Sequence, residues 1–348
     1  MIVSGVFCLG ADLAILVFSL LSCKVKNICE PYFSKKMNYA HYISIILASL
    51  ILSYGLKLWF TRLKKFDAIN HRSVHHTKAT KTGGMAVFLT LFLFSSYFYL
   101  NQVQIFDFSL LIPLGIMFIV GVYDDFYNAD FKLKFFLQII VAKILIDQGL
   151  VINDFHGVLG LREIPHLASQ LFTVFVFLVI VNAFNFIDGI DGLAVTEAIK
   201  VIVLIEFFSI ESTPLYPLGM ITVFGLLPLY YFNYKKDYKV FLGDAGSLFL
   251  GTLIAAYLFY VMGSEYTLKP IFLINKPLLA MSLIVYPLVD LLRVFIIRIR
   301  NKKSPFSPDQ NHLHHFLVKK GFPHFLIVII IQSLSFLLLL FLVFPFGV

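Results

Sequence analysis

Asp124 and Asp125 in GVYDDFYNAD, Asp188 and Asp191 in FNFIDGIDGLA, and Asp244 in FLGDAGS are the residues whose types and spacing best suit chemistry. Asp188 and Asp191 stand three apart, so in helical or near-helical geometry they share a face. Gly189 and Gly192 let the backbone turn tightly or let a ligand approach. Taken singly, an aspartate beside a glycine is equally a turn or helix-capping element. Five clustered carboxylates, however, repel one another and raise their own pKa values unless a cation neutralises them. Hard oxygen ligands favour magnesium, held by one or two carboxylates together with substrate phosphates. A phosphate-bearing substrate follows.

Basic and imidazole groups accompany the carboxylates. Asn70, His71, Arg72, His75 and His76 precede the Gly83-Gly84 pair, and Lys132 and Lys134 follow the Asp pair. The segment RIRNKKSPFSPDQNHLHHF brings Arg300, His312, His314 and His315 close to Asp309. Three histidines in four residues could be a transition-metal tract, but no thiol or second His cluster with ligand spacing accompanies them. Donation to a diphosphate, or acid–base work by one His, fits the carboxylates better. His75 and His76 also read as a solvated loop. Cys8, Cys23 and Cys29 lie in the first thirty residues without metal-ligand spacing, so they supply no zinc site and no catalytic thiol.

The elements that must position these groups are membrane helices. The chain is 59% hydrophobic and only 14% charged, with 39 Phe, far from the composition of a soluble domain. A span needs about 20 mostly apolar residues. Candidates lie at 1–22, 41–60, 83–100, 106–122, 133–150, 167–186, 192–210, 214–232, 245–262, 277–297 and 323–345. The expected fold is therefore an all-α integral membrane protein, a polytopic bundle of 10–11 transmembrane helices with its active site on the cytoplasmic face. The loops at 61–82, 123–132, 187–191, 233–244 and 298–322 hold about sixteen Lys and Arg, and the alternate loops about three. By the positive-inside rule the first set, which carries all five aspartates, is cytoplasmic. The net charge of +8 thus sets topology and implies no nucleic-acid partner. Residues 41–348 form one membrane domain. Residues 1–40 form an extra helix and linker whose lysine-rich Lys24–Lys36 loop conflicts with the charge rule, or else translation starts at Met37. Lys143 with Asp147, Glu197 with Lys200, and Asp290 with Arg293 sit at helical spacing and can neutralise each other. Glycine-broken helices and intramembrane charges also suit an anion transporter, but the polar groups collect on one face and no internal repeat is visible.

Four segments, GVYDDFYNADFKLKFFLQ, NAFNFIDGIDGLA, FLGDAGSL and SPDQNHLHHFLVKKGF, resemble in order the polyprenyl-phosphate N-acetylhexosamine-1-phosphate transferase superfamily (glycosyltransferase family 4) over Tyr42 to Gly321. Asp309 followed by His312-Leu-His314-His315 resembles its undecaprenyl-phosphate GlcNAc-1-phosphate transferase branch; the phospho-N-acetylmuramoyl-pentapeptide transferases are the alternative. The resemblance implies a UDP-N-acetylhexosamine donor, an undecaprenyl phosphate acceptor, Mg2+ (or Mn2+) as cofactor and a bacterial inner-membrane location among membrane lipids. It does not choose between monomer and homodimer. It further implies Asp125, Asp188 and Asp244 on the metal side, Asp124 orienting or deprotonating the lipid phosphate or forming a covalent intermediate, and Lys134 with Gln138 facing the phosphates. Asn182 and Asp191 would serve the nucleotide. Arg300, His312, His314 and His315 would hold the donor diphosphate and sugar, with Arg72 and His75 contributing from the first loop. Two departures stand out: NYKKDYKVFLGD lacks the Pro-Ala pair common before GDxGS, and HRSVHHTKATKTGG has serine where lysine is usual, which Arg72 could offset.

Overall fold

The computed structural model describes residues 37–66, 79–235, 239–272, 274–302, 304 and 312–343. The expected first span, Arg72, His75 and Asp309 lie outside these residues. Apolar runs become helices: α1 Tyr39–Arg62, α2 Gly83–Leu100, α3 Leu111–Tyr127, α4 Phe131–Asp147, α5 His166–Ile187, α6 Leu193–Phe208, α7 Tyr216–Asn233, α8 Gly243–Met262, α9 Lys276–Leu283, α10 Val285–Arg300, α11 Leu313–Lys319 and α12 His324–Val343. The chain is an all-α, multi-pass membrane protein. Six helices, α1, α2, α3 with its preceding turn, α5, α8 and α12, are long and apolar enough to cross a bilayer. A seventh span is obtained if α9 and α10 count as one. The runs expected to span at 133–150, 192–210 and 214–232 form α4, α6 and α7, of 17, 16 and 18 residues, within the same bundle.

The expected span at 277–297 is broken, with α9 and α10 meeting at 70°. Pro287 explains the break, because its ring would clash with the carbonyl of Leu283 if the helix ran straight through.

α8 is the centre of the bundle. It is apolar all round, and nearly every residue is buried, as expected of a helix with no solvent or lipid face. It packs most extensively on α3 and α5, and also against α2, α6 and α9. Small residues allow the closest contacts. A Cβ on Gly84 would collide with the backbone of Gly246, and one on Gly121 with the backbone of Asp244 and Ala245.

A short parallel pair joins the start of α2 to the start of α8. In it β1 (Ala79–Thr80) aligns with β2 (Lys239–Val240), Ala79 opposite Lys239. The ladder continues past the strands. Phe241 N–H donates to the Thr80 carbonyl (2.9 Å), Gly83 N–H to that of Phe241 (2.9 Å), and Gly84 N–H to that of Leu242 (2.8 Å). The first N–H groups of α2, which lack intrahelical acceptors, are thus satisfied by the segment leading into α8. Substituting Gly84 by Val should force α2 from α8 and destabilise the fold by about 1–3 kcal/mol or more; thermal unfolding of the detergent-solubilised protein checks this, and an unchanged midpoint would refute the close approach.

Candidate active site

The helix that carries Asp244 has no side-chain cap of its own. Asp125, near the end of α3, supplies one from across the bundle: its two carboxylate oxygens accept from the backbone N–H groups of Asp244 (3.0 Å) and Ala245 (2.9 Å). An anion at a helix N-terminus also interacts favourably with the helix dipole. Lys81, just after β1, places its Nζ 3.6 Å from Asp125. From α5, Asn185 donates to the Asp244 carboxylate and to Ser247 Oγ (2.9 Å). Asp188 follows the last turn of α5. Burial pushes its pKa well above the ordinary carboxylate value, and repulsion from Asp244 and Asp125 adds to this while Lys81 opposes it. Asp125, Asp188 and Asp244, from three distant segments, therefore share one electrostatic environment.

The donor chemistry of this trio suits a hard divalent cation, since a bound cation would relieve the repulsion around Asp188. Among the described residues, no three His, Cys, Asp or Glu side chains converge tightly enough to enclose a metal with protein ligands alone. A magnesium ion here would need water and substrate phosphate to complete its coordination. Both oxygens of Asp125 already accept N–H groups, so Asp188 and Asp244 have the freer lone pairs.

Asp124 and Asp191 are held by partners. Lys134 Nζ lies 2.5 Å from Asp124, whose other oxygen accepts from Ala129 N–H (2.7 Å) and fastens the turn between α3 and α4. One turn on from Lys134, Gln138 is buried and accepts from Asn182 (2.9 Å), which also donates to the Leu178 carbonyl. Asn182 therefore ties α5 to α4, while Asn185, one turn later, reaches Asp244. Asp191 forms an ion pair with Lys239 and places a carboxylate oxygen 2.9 Å from His324 Nδ1, and its carbonyl accepts from Tyr234 OH (2.9 Å). Burial alone would raise its pKa; hydrogen bonds from His324 and Lys239 outweigh that and lower it.

The histidine segment folds against the DGIDG turn. A Cβ on Gly189 would sit 3.0 Å from His314 Nε2 and 3.6 Å from His315 Nε2. Asp290 on α10 accepts from His312 Nδ1 (2.9 Å) and from Leu313 N–H (2.7 Å), capping α11. The expected pairing of Asp290 with Arg293 is a looser contact at 3.9 Å. His314 is fully buried; burial, followed by the neighbouring His315, pushes its pKa down to about 3. Arg300 is exposed at the end of α10, whereas Arg298 is buried with its guanidinium 5.5 Å from the Phe186 ring, two residues from Asp188.

The sequence model of "Glycosyl transferase family 4" matches residues 107–262. A decaprenyl-phosphate N-acetylglucosaminephosphotransferase of Mycobacterium tuberculosis is 30% identical over 317 residues, covering 82% of this chain and 78% of the relative. The chain belongs to glycosyl transferase family 4. Its relatives in the polyprenyl-phosphate N-acetylglucosamine-1-phosphate transferase branch include a probable undecaprenyl-phosphate N-acetylglucosaminyl 1-phosphate transferase of Bacillus subtilis, 28% identical over 85% of this chain and 81% of the relative. Another is the undecaprenyl-phosphate alpha-N-acetylglucosaminyl 1-phosphate transferase of Salmonella typhi, 28% identical over 80% and 76%. This family 4 transferase carries Asp124, Asp125, Asp188, Asp191 and Asp244 inside the matched segment, while His312, His314 and His315 lie beyond it.

Sequence reasoning missed Lys81, Asn185, Lys239, Arg298 and His324. Two of these carried a signal: Asn182, Asn185 and Asp188 repeat at three-residue spacing, and Asp290, Val294 and Arg298 repeat at four, each marking one helix face. In this family 4 protein, Asp191→Asn should leave Lys239 and His324 without their anion and cost about 3 kcal/mol of stability at neutral pH. Because the folded pKa of Asp191 is lowered, its contribution is full above the ordinary carboxylate value and fades as pH falls through the folded value. Unfolding of wild type and variant should therefore converge in acid, and a stability gap that persists there would count against the ion pair.

Proposed function

We propose that this protein transfers an N-acetylhexosamine 1-phosphate, namely GlcNAc-1-phosphate, from the UDP-sugar to undecaprenyl phosphate. An oxygen of the lipid phosphate attacks the sugar-linked phosphorus of the donor. A P–O bond forms, the bond to the bridging oxygen breaks, and UMP leaves with that oxygen and its electron pair. The product is undecaprenyl-diphosphate-sugar, the first lipid-linked intermediate of a cell-envelope polysaccharide. The names of the relatives support the reaction class. The observation that carries the reading is the convergence of the YDD, DGIDG, GDAGS and HLHH segments at the end of the bundle that also gathers the basic loops. That charge bias supports a cytoplasmic active site on the inner membrane, where UDP-sugars are available.

Phosphoryl transfer is catalysed chiefly by positioning and by neutralising spread negative charge. Asp188 and Asp244 would hold magnesium, with Asp125 fixing the backbone that carries Asp244. When bound, the cation would neutralise the donor diphosphate and make UMP a better leaving group. Lys134, steadied by Asp124, offers a cation to the attacking phosphate, and Asp124 can orient that group. Lys81 adds positive charge beside Asp125, Arg298 sits against the Phe186 ring two residues from Asp188, and His315 would face the donor.

Membranes containing the protein should release UMP and form lipid-linked sugar from UDP-GlcNAc in the presence of magnesium; silence with every UDP-amino sugar would sink the reading. Asp244→Asn should abolish turnover while leaving the protein in the membrane, and full activity at saturating magnesium would remove that residue from the metal site. His315→Ala should raise the KM for the UDP-sugar about tenfold and leave lipid use unchanged; an unaltered donor dependence would remove it from the donor site.

A further inference from the structure

One face of α10 builds the setting of the HLHH segment. Tyr286 and Asp290 stand four apart on that face and both are buried, at 8% and 2% exposure. Asp290 can only accept, so the His312 Nδ1 that lies 2.9 Å away carries the proton. Tyr286 OH lies 3.1 Å from His314 Nδ1. A buried neutral imidazole has one N–H, which leaves two arrangements. If Nδ1 carried it, the Asp290 carboxylate at 3.8 Å would lie beyond hydrogen-bond reach, the Tyr286 hydroxyl proton would lack an acceptor among the described residues, and a bare Nε2 lone pair would face the turn that holds Asp188. If Nε2 carries it, Tyr286 donates to Nδ1, and an N–H points at the most electronegative part of the site. Among the described residues, His314 Nε2 is a buried atom without a hydrogen-bond partner, whereas Tyr286 OH is satisfied.

We propose that Tyr286 and Asp290 are positioning residues: Tyr286 fixes His314 as the Nε2–H tautomer aimed across Gly189, and Asp290 locks the orientation of the segment through His312 and the Leu313 N–H. The Nε2–H is a preset donor for an acceptor oxygen of the UDP-sugar, so the catalytic consequence rests on the proposed reaction. The tautomer does not.

The assignment is tested by nitrogen-15 NMR of histidine-labelled full-length protein in lipid nanodiscs, with the His314 signals identified by their loss in His314→Gln. A protonated Nε2 and a bare, hydrogen-bonded Nδ1 are expected; a protonated Nδ1 overturns the proposal whether or not turnover is seen. In Tyr286→Phe the Nδ1 signal should move to that of a nitrogen without a donor, and the KM for the UDP-sugar should rise about tenfold with lipid KM and melting temperature nearly unchanged. Asp290→Asn, which keeps an acceptor for Leu313 N–H but loses the acceptor for His312, should show the same donor-selective loss. Equal losses toward both substrates in the two variants would reduce the residues to packing roles and overturn the positioning role. Absence of UMP release by the wild type would overturn the reaction, and the tautomer would still be read from the spectrum.

Discussion

A helix that begins inside a protein must find acceptors for its first N–H groups, and at α8 this requirement governs the surrounding structure. Leu242 and Gly243 offer no side chain that could cap it, so the acceptors come from Asp125, 119 residues earlier in the chain. The bond can form only because Gly121, one turn before Asp125, lets α3 rest directly on the backbone of Asp244 and Ala245. Gly84 and Gly246 bring α2 to the same point from another side. Asp244 is therefore located by three converging backbones, and its carboxylate is aimed by Asn185 from a fourth.

Charge is distributed around this centre in an ordered way. Asp124 has Lys134, Asp191 has Lys239 and His324, and Asp290 has His312. Each of these pairs ties two segments together, and each fixes a basic side chain near the site. Asp125, Asp188 and Asp244 face a smaller share of positive charge, from Lys81 and, at Asp244, first from Lys134, and Asp188 responds with a raised pKa. The balance separates carboxylates that brace the structure from those with capacity for a further cation. It also explains why a cluster of five aspartates tolerates burial: two are neutralised at close range, one satisfies a helix end, and two remain for ligand chemistry.

The bundle, the end at which the polar loops gather and the four motif segments were legible in the sequence, because apolar runs, charge bias and short patterns are properties of neighbouring residues. Partnerships were not. Nothing in the spacing says that DGIDG folds onto HLHH, or that Lys239 and His324 meet at Asp191, since these contacts join segments 48 and 133 residues apart. Where a contact does follow helical periodicity it could have been read. Arg298 lies on the buried face of Asp290 and Val294, while Arg300, rotated by two residues, points outward. Asn185 precedes Asp188 by three residues, and its approach to Asp244 is the companion of that spacing. The bend at Pro287 was likewise open to inspection, because a proline three residues into a helix removes the continuity that an apolar count assumes.

The two-residue parallel pair of β1 and β2 has a further effect. Parallel strands deliver their chains in the same direction, so α2 and α8 set off side by side from one end of the bundle, and α4 and α6 begin at that end too. Each helix start carries roughly half a positive charge from its aligned peptide dipoles. The floor beneath the aspartates is thus a patch of fixed positive field built from backbone alone. It cannot be titrated away, and at α8 it is already engaged by the Asp125 carboxylate, so the backbone field itself helps hold a buried anion beside Asp244.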